Sequence, residues 1–247
     1  MSDQRLNAVL VCAGKYHDID FARSQILERL QRWPNIRTRV FEDYSNIAAI
    51  EACDLLITYT CEVIPNAAEL AALQAYLDRG GRWFALHGTN SILEFMENGR
   101  VRCPDAAPEF MAMLGTQFAT HPPLCNFTVG VTAPDHTLVA GVEPFETFDE
   151  LYVVTPRAEI EVLLHTRWGG SVRGFELRDW PETDHPVLYL RHHGEGAVLY
   201  LTLGHCRGHY DMQPLMDYYP EVERCSWDNP AFRDLLRRGI EWASRIA

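Results

Sequence analysis

No apolar run in this chain approaches the ~18 residues that a membrane-crossing helix needs. The amino-terminal Met1-Ser2-Asp3-Gln4-Arg5 is polar and lacks the apolar core of a secretion signal. Basic residues are scarce: 22 Lys+Arg against 34 Asp+Glu give a formal net charge of −12, and no basic cluster interrupts it. Nucleic acid and anionic membrane are therefore not expected as partners, and the field favours neutral or cationic ligands. The seven cysteines form no CxxC pair and no zinc-finger spacing. Cys12, inside an apolar run, and Cys53, at the end of a helix-like segment, read as small core hydrophobes. A soluble protein of a reducing, cytoplasmic compartment is the expectation. Nucleotide loops are missing as well, since neither GxGxxG after the first strand nor GxxxxGK[ST] occurs. There is no G-x-S-x-G hydrolase elbow either.

What is present is ordinary globular material: 247 residues, 47% hydrophobic, 23% charged and 11% aromatic. That suffices for one large α/β domain, read as residues 1–247. The first half alternates buried runs with helical periods. Ala8 to Ala13, Ile36 to Phe41, Asp54 to Tyr59 and Trp83 to Leu86 read as strands. Between them lie a helix carrying Ile26, Leu27 and Leu30 and stopped by Pro34, a short one from Ile47, and one capped by Asn66 with Glu69 at N3. The pattern β-α-β-α-β-α-β with short connections predicts a doubly wound, mostly parallel sheet. The second half reads as β-rich. Asp149 to Val154 and Ile160 to His165 look like strands, 167–184 a surface loop or lid without periodicity, and 187–201 a hairpin. Asn229-Pro230 opens a closing amphipathic helix.

Ten histidines then stand out. His87 directly follows the buried strand Trp83 to Leu86, and Gly88 beside it permits close approach. His17 follows the first strand and His205 the last hairpin strand. The carboxyl ends of parallel strands share one edge, where ligands collect, so these three imidazoles can converge on one crevice. His121 and the pair Asp149-Glu150 lie at segment edges flanked by turns. His136 and His185 are explained by turn chemistry, and His192 and His193 by a solvated hairpin tip. Imidazole takes and returns a proton near neutrality, and a neighbouring carboxylate fixes its tautomer. The same set could hold a divalent metal, Zn²⁺ foremost. His205 and His209 stand four apart, a ligand spacing only on a helix, and Gly208 argues against one. Cys61 is the best-placed thiol, with no histidine beside it in sequence.

Taken in order, Tyr16-His17-Asp18, Leu86-His87-Gly88, Phe118-x-x-His121-Pro122, Asp135-His136, Asp149-Glu150-Leu151-Tyr152, Gly194-x-Gly196, Leu203-Gly204-His205 and Ile240-Glu241-Trp242-Ala243 resemble the ThuA-like, trehalose-utilisation family across roughly Val9 to Ala243. The resemblance implies a fold similar to class I glutamine amidotransferases, a flavodoxin-like sandwich. At the turn where amidotransferases carry a cysteine, this chain has His87, which argues against a glutaminase. It also implies a carbohydrate or keto-sugar as substrate and carries over His17, His87, His121, Glu150 and His205. The expectation is an acid/base enzyme catalysing isomerisation, elimination or hydrolysis. His87 and His205 would exchange protons and Glu150 would orient or act as base. His17 and His121, with Asp149 and Tyr152, would bind substrate. No cofactor is required by this reading. The alternatives are a metal-dependent hydrolase with the same cluster as Zn²⁺ ligands, and a non-catalytic sugar-binding or assembly subunit. A homo-oligomer is compatible with either.

Overall fold

The first strand, β1 (Leu6–Gly14), is buried along its centre, and two parallel neighbours account for that burial: β2 (Ile36–Phe41) on one side and β3 (Leu55–Cys61) on the other. The computed structural model describes residues 5–246; Met1 to Gln4, most of the polar amino-terminal stretch, and Ala247 lie outside the described residues. Each connecting helix starts on a side chain that satisfies its free N–H groups. Asp18 accepts from Phe21 to open α1 (Ile19–Leu30), and Asn46 from Ala49 to open α2 (Ile47–Ala52). Asn66 and Glu69 form the full capping box of α3 (Ala67–Asp78). β4 (Arg82–Leu86) follows and pairs parallel with β3. Gly14 closes β1 at φ +121°, where a Cβ would lie 2.1 Å from the Cys61 carbonyl oxygen, so β1 and β3 can meet at this edge only without a side chain.

Past β4 come the two-residue strands β5 (Glu94–Phe95) and β6 (Val101–Arg102), then α4 (Pro108–Leu114) and β7 (Thr116–Thr120). β8 (Cys125–Val131), β9 (Phe145–Asp149), β10 (Val153–Pro156), β11 (Glu161–Ser171), β12 (Asp179–His193) and β13 (Gly196–Leu201) lead to a 3-10 turn at Cys225–Asp228 and α5 (Pro230–Ser244). The main sheet has nine strands in the order β2-β1-β3-β4-β13-β12-β11-β8-β9. The five from β2 to β13 run parallel, and the pairings from β13 to β9 are antiparallel. The fold is therefore α/β with a large mixed sheet, and the expectation of a mostly parallel sheet holds for its first half.

Two other expectations are corrected. Residues 167–184 are not a free loop: β11 and β12 continue through most of them as a paired ladder, and only Val172 to Arg178 forms the connection. Most of this outer stretch is exposed and laced by Arg167–Glu182 and Arg167–Asp184 ion pairs, with Trp168 and Trp180 half-buried against the core, so it shows no apolar alternation. His185, read as a turn residue, lies within β12, 3.1 Å from the Trp168 carbonyl across the ladder. Asp149 to Val154 is not one strand. β9 ends at Asp149, and β10 pairs with β7 in a separate two-stranded sheet, which leaves Glu150 to Tyr152 spanning the gap.

Apolar side chains cover both sheet faces. Leu10, Ile57, Phe84 and Leu199 pack with α1 and α5; Val9, Leu56, Trp83 and Val198 pack with α2, α3 and α4. A smaller cluster of Phe118, Tyr152, Val154, Val172 and Phe175 sits beyond the carboxyl edge. Among the described residues, no helix is long and apolar enough to cross a membrane.

Candidate active site

The register brings three distant chain segments together. Leu86 at the end of β4 pairs with Tyr59 of β3 and with Leu201 of β13. The next residues of both neighbouring strands therefore emerge side by side: His87 from one, and Thr202 to His205 from the other. His87 opens the 3-10 turn His87–Asn90 at φ +44°, a left-handed conformation uncommon for a residue with a Cβ. Two contacts from Tyr200 hold it there: its hydroxyl donates to the His87 carbonyl at 2.5 Å and accepts from the Asn90 N–H at 2.8 Å. Gly88 is a close-approach position, since a Cβ would lie 2.8 Å from the Thr60 carbonyl and 3.5 Å from the His17 ring. Thr89 turns its hydroxyl back to the Leu86 carbonyl at 2.8 Å, which closes the turn.

Each imidazole is fixed by its outward nitrogen. His87 Nδ1 lies 2.8 Å from the Thr202 carbonyl and His17 Nδ1 2.9 Å from the Lys15 carbonyl. A carbonyl only accepts, so both rings carry their proton on Nδ1 and turn a bare Nε2 inward. Those two Nε2 atoms are 3.0 Å apart. His205 is fixed from its other nitrogen: Nε2 lies 2.7 Å from Glu223, a carboxylate that also accepts from Arg207 and Tyr219. Its Nδ1 faces Glu150 Oε1 at 3.1 Å, and Glu150 Oε2 is 3.5 Å from His87 Nε2. Tyr152 donates its hydroxyl toward His87 Nε2 at 3.2 Å. His121 stands at the outer side, with Nδ1 2.6 Å from the Pro122 carbonyl and Nε2 3.4 Å from Glu150 Oε1.

Burial pushes His17, His87 and His205 below the usual imidazole range, the last two strongly, so the rings are neutral. Burial alone would push the Glu150 carboxyl up; the positive charge of His121, His205 or His17 whenever one of them carries a second proton, and the fixed charge of Arg207, pull it the other way and lower it. Glu150 is thus an ionised carboxylate. Asp149, expected at the substrate, is instead a pin behind the site. Its carboxylate accepts from the backbone N–H groups of Glu150, Gly204, His205 and Ser226 at 2.7 to 3.3 Å and is fully buried. Burial raises its pKa to about 7, against the pull of these donors. By claiming the N–H of Glu150, Asp149 ends β9 and aims Glu150 at the imidazoles. Cys61 is buried, and burial raises its thiol far above the reactive range.

A cavity of about 310 Å³ opens onto this cluster. Tyr16, Phe95, Phe118, Tyr152 and Phe175 make its apolar walls, and His17, His121, Glu150 and Arg207 its polar end. His87 and His205 lie one layer behind and do not line it. The structure therefore brings His17, His87, His121, Glu150, Tyr152 and His205 into one constellation and leaves Asp149 behind it. His209 is elsewhere, stacked on Tyr218 in a stretch that is not helical. Arg207, Glu223, Phe118 and Phe175 were missed from sequence. Arg207, two residues beyond His205, had a positional signal; Glu223, in an irregular acidic stretch, had none.

The family model described as ThuA, trehalose utilisation, matches residues 8–219. Among solved structures, a ThuA-like protein from Parabacteroides merdae is similar at TM-score 0.69 and 14% identity, over 98% of this chain and 90% of that one. A ThuA-like protein from Bacteroides uniformis gives 0.67 and 18%, over 97% and 91%. A cytoplasmic protein from Salmonella typhimurium gives 0.52 and 13%, over 98% of each chain. At such identities the likeness speaks for the fold alone. Comparison with curated proteins gave no match.

Proposed function

Because this chain belongs to the ThuA family, described by trehalose utilisation, we propose that it is a carbohydrate-utilisation enzyme that moves a proton next to the carbonyl of a keto-sugar. The observation that carries this reading is the placement of His121. Its Nδ1 proton is held by the Pro122 carbonyl, so its Nε2 is a bare base at the cavity wall. Glu150 lies 3.4 Å from that nitrogen and stabilises the imidazolium once the proton arrives. Glu150 itself is the orienting partner, placed against that nitrogen. Aromatic walls suit the apolar faces of a sugar ring, and a cavity of about 310 Å³ falls at the small end of ligand pockets, which span ~300–1,000 Å³.

In the proposed reaction, His121 Nε2 removes a proton from the carbon beside the carbonyl. The C–H electron pair becomes a C=C bond and the carbonyl π pair moves to oxygen, giving an enediolate. The Arg207 guanidinium, at the cavity wall, is the donor available to that charge. Returning the proton from His121 to the former carbonyl carbon, while the enediolate hydroxyl passes its own proton to the former carbonyl oxygen, isomerises the sugar. Re-forming the C=O and expelling an oxygen substituent from the next carbon, with the His121 proton given to the leaving oxygen, yields an α,β-unsaturated ketone instead. Purified protein incubated with oxidised and parent disaccharides, with products read by mass, tests the proposal. Product from the oxidised sugars alone is expected. His121→Ala should lose ~10²–10⁴-fold in kcat with an unchanged melting temperature. Wild-type rates in that variant, or saturable sugar binding without product across the panel, would overturn it.

A further inference from the structure

The base and the orienting carboxylate use only the cavity side of the cluster, which leaves His17, His87 and His205 unexplained. All three commit their outward nitrogen to a fixed acceptor: the Lys15 carbonyl, the Thr202 carbonyl and the Glu223 carboxylate. All three turn a lone pair inward, and the fourth inward group, the Glu150 carboxylate, is also acceptor-only. Burying four mutually facing acceptors is unfavourable unless something positive lies between them. His205 Nδ1 is the clearest symptom. It is fully buried, and among the described residues it has no hydrogen-bond partner although Glu150 Oε1 is 3.1 Å away. The Tyr152 hydroxyl satisfies His87 at most. A proton shared between His17 and His87 would repair their 3.0 Å contact and leave His205 facing Glu150 as before.

We propose that His17 Nε2, His87 Nε2, His205 Nδ1 and a Glu150 oxygen bind one divalent first-row transition-metal cation of the Zn²⁺ class at the inner end of the cavity. The four residues offer ligand atoms within 4.8 Å of one another; His17 Nε2 and His87 Nε2 are 3.0 Å apart, and the Glu150 carboxylate stands 3.1 Å from His205 Nδ1 through Oε1 and 3.5 Å from His87 Nε2 through Oε2. A centre with ~2.1 Å bonds spaces its neighbouring ligand atoms ~3.0–3.4 Å apart. Three imidazoles and a carboxylate suit such a cation better than Ca²⁺ or Mg²⁺, which take oxygen ligands. The outward hydrogen bonds are the arrangement that orients metal-bound histidines, and the Glu223–His205 contact is of the carboxylate–histidine kind. His17 and Glu150 reach the cavity wall while His87 and His205 stand behind them, so the cavity side is left for a substrate oxygen. The site itself is independent of the proposed reaction. Its use to polarise the sugar carbonyl rests on that reading.

The full chain, purified without a histidine tag and stripped with chelator, is titrated with Zn²⁺ by calorimetry and with Co²⁺ by visible absorption. One equivalent should bind, with a Co²⁺ spectrum of a nitrogen- and oxygen-ligated centre and a raised melting temperature. The nearly isosteric Glu150→Gln and His87→Gln should each weaken binding at least ~100-fold, and Glu223→Gln ~10–100-fold. Surface His192→Ala should bind like wild type. Circular dichroism establishes that each variant is folded, and a misfolded one is replaced by His205→Asn. Binding of less than ~0.1 equivalent, or undiminished binding in folded Glu150→Gln and His87→Gln, overturns the site. Keto-sugar turnover in metal-free protein would overturn the metal's use on the carbonyl while sparing the proposed reaction; stoichiometric metal without turnover would overturn that reaction while sparing the site.

Discussion

At the scale of single residues, proton position decides what this site can do. His17, His87, His205 and His121 all have one nitrogen tied to a carbonyl or carboxylate, so the direction of each lone pair is set by backbone geometry. The sequence reading found these four side chains and Glu150, because strand ends and short motifs mark them. It could not separate the wall from the layer behind it, since that depends on which atom of each ring faces the cavity. Asp149 illustrates the limit: next to Glu150 in sequence, it points the other way and ties the Gly204-His205 and Ser226 backbones together. Asp149→Asn would replace one acceptor with a donor facing these N–H groups, so a loss of about 1–3 kcal/mol is expected, measured by urea unfolding. Gly88→Ala would press a methyl group toward the Thr60 carbonyl. A cost of about 1–3 kcal/mol in the same assay is expected, because the 2.8 Å neighbour is backbone and cannot swing aside.

At the scale of elements, the βα units of the first half were legible because caps and buried runs recur there at regular spacing. β3 is buried at all seven positions, and α3 begins on its capping box. The outer parts of β11 and β12 were illegible for a physical reason. They are mostly exposed and held by backbone pairing and cross-strand charges, with Trp168 and Trp180 packed against the core but in no alternating pattern. Their connecting loop is also where the cavity gains a wall: Phe175 packs against Phe118 and lies 5.4 Å from the His121 ring centroid to centroid. Phe175→Ala should therefore weaken sugar binding. An approximately tenfold rise in KM, equivalent to about 1.4 kcal/mol, is expected with kcat nearly retained. A fall in kcat of the same size with unchanged KM would show instead that Phe175 acts on the reacting groups.

At the scale of the whole molecule, a parallel half and an antiparallel half share one sheet, and the site forms where they meet. β4 and β13 supply His87 and His205 from the parallel edge, while the break between β9 and β10 delivers Glu150 from the other half. The net charge of −12 favours a cation at the inner end of the cavity and a neutral sugar in front of it. Composition, order of elements and family were readable from the chain; the mixed sheet was not, because strand direction in the second half depends on long-range pairing. The most direct test of the account is solvent exchange. A keto-disaccharide incubated with the protein in D₂O should gain deuterium at the carbon beside its carbonyl, in recovered substrate and in any isomerised product, and His121→Ala should abolish that gain. Turnover to an isomer without deuterium incorporation, or undiminished incorporation in His121→Ala, would contradict it.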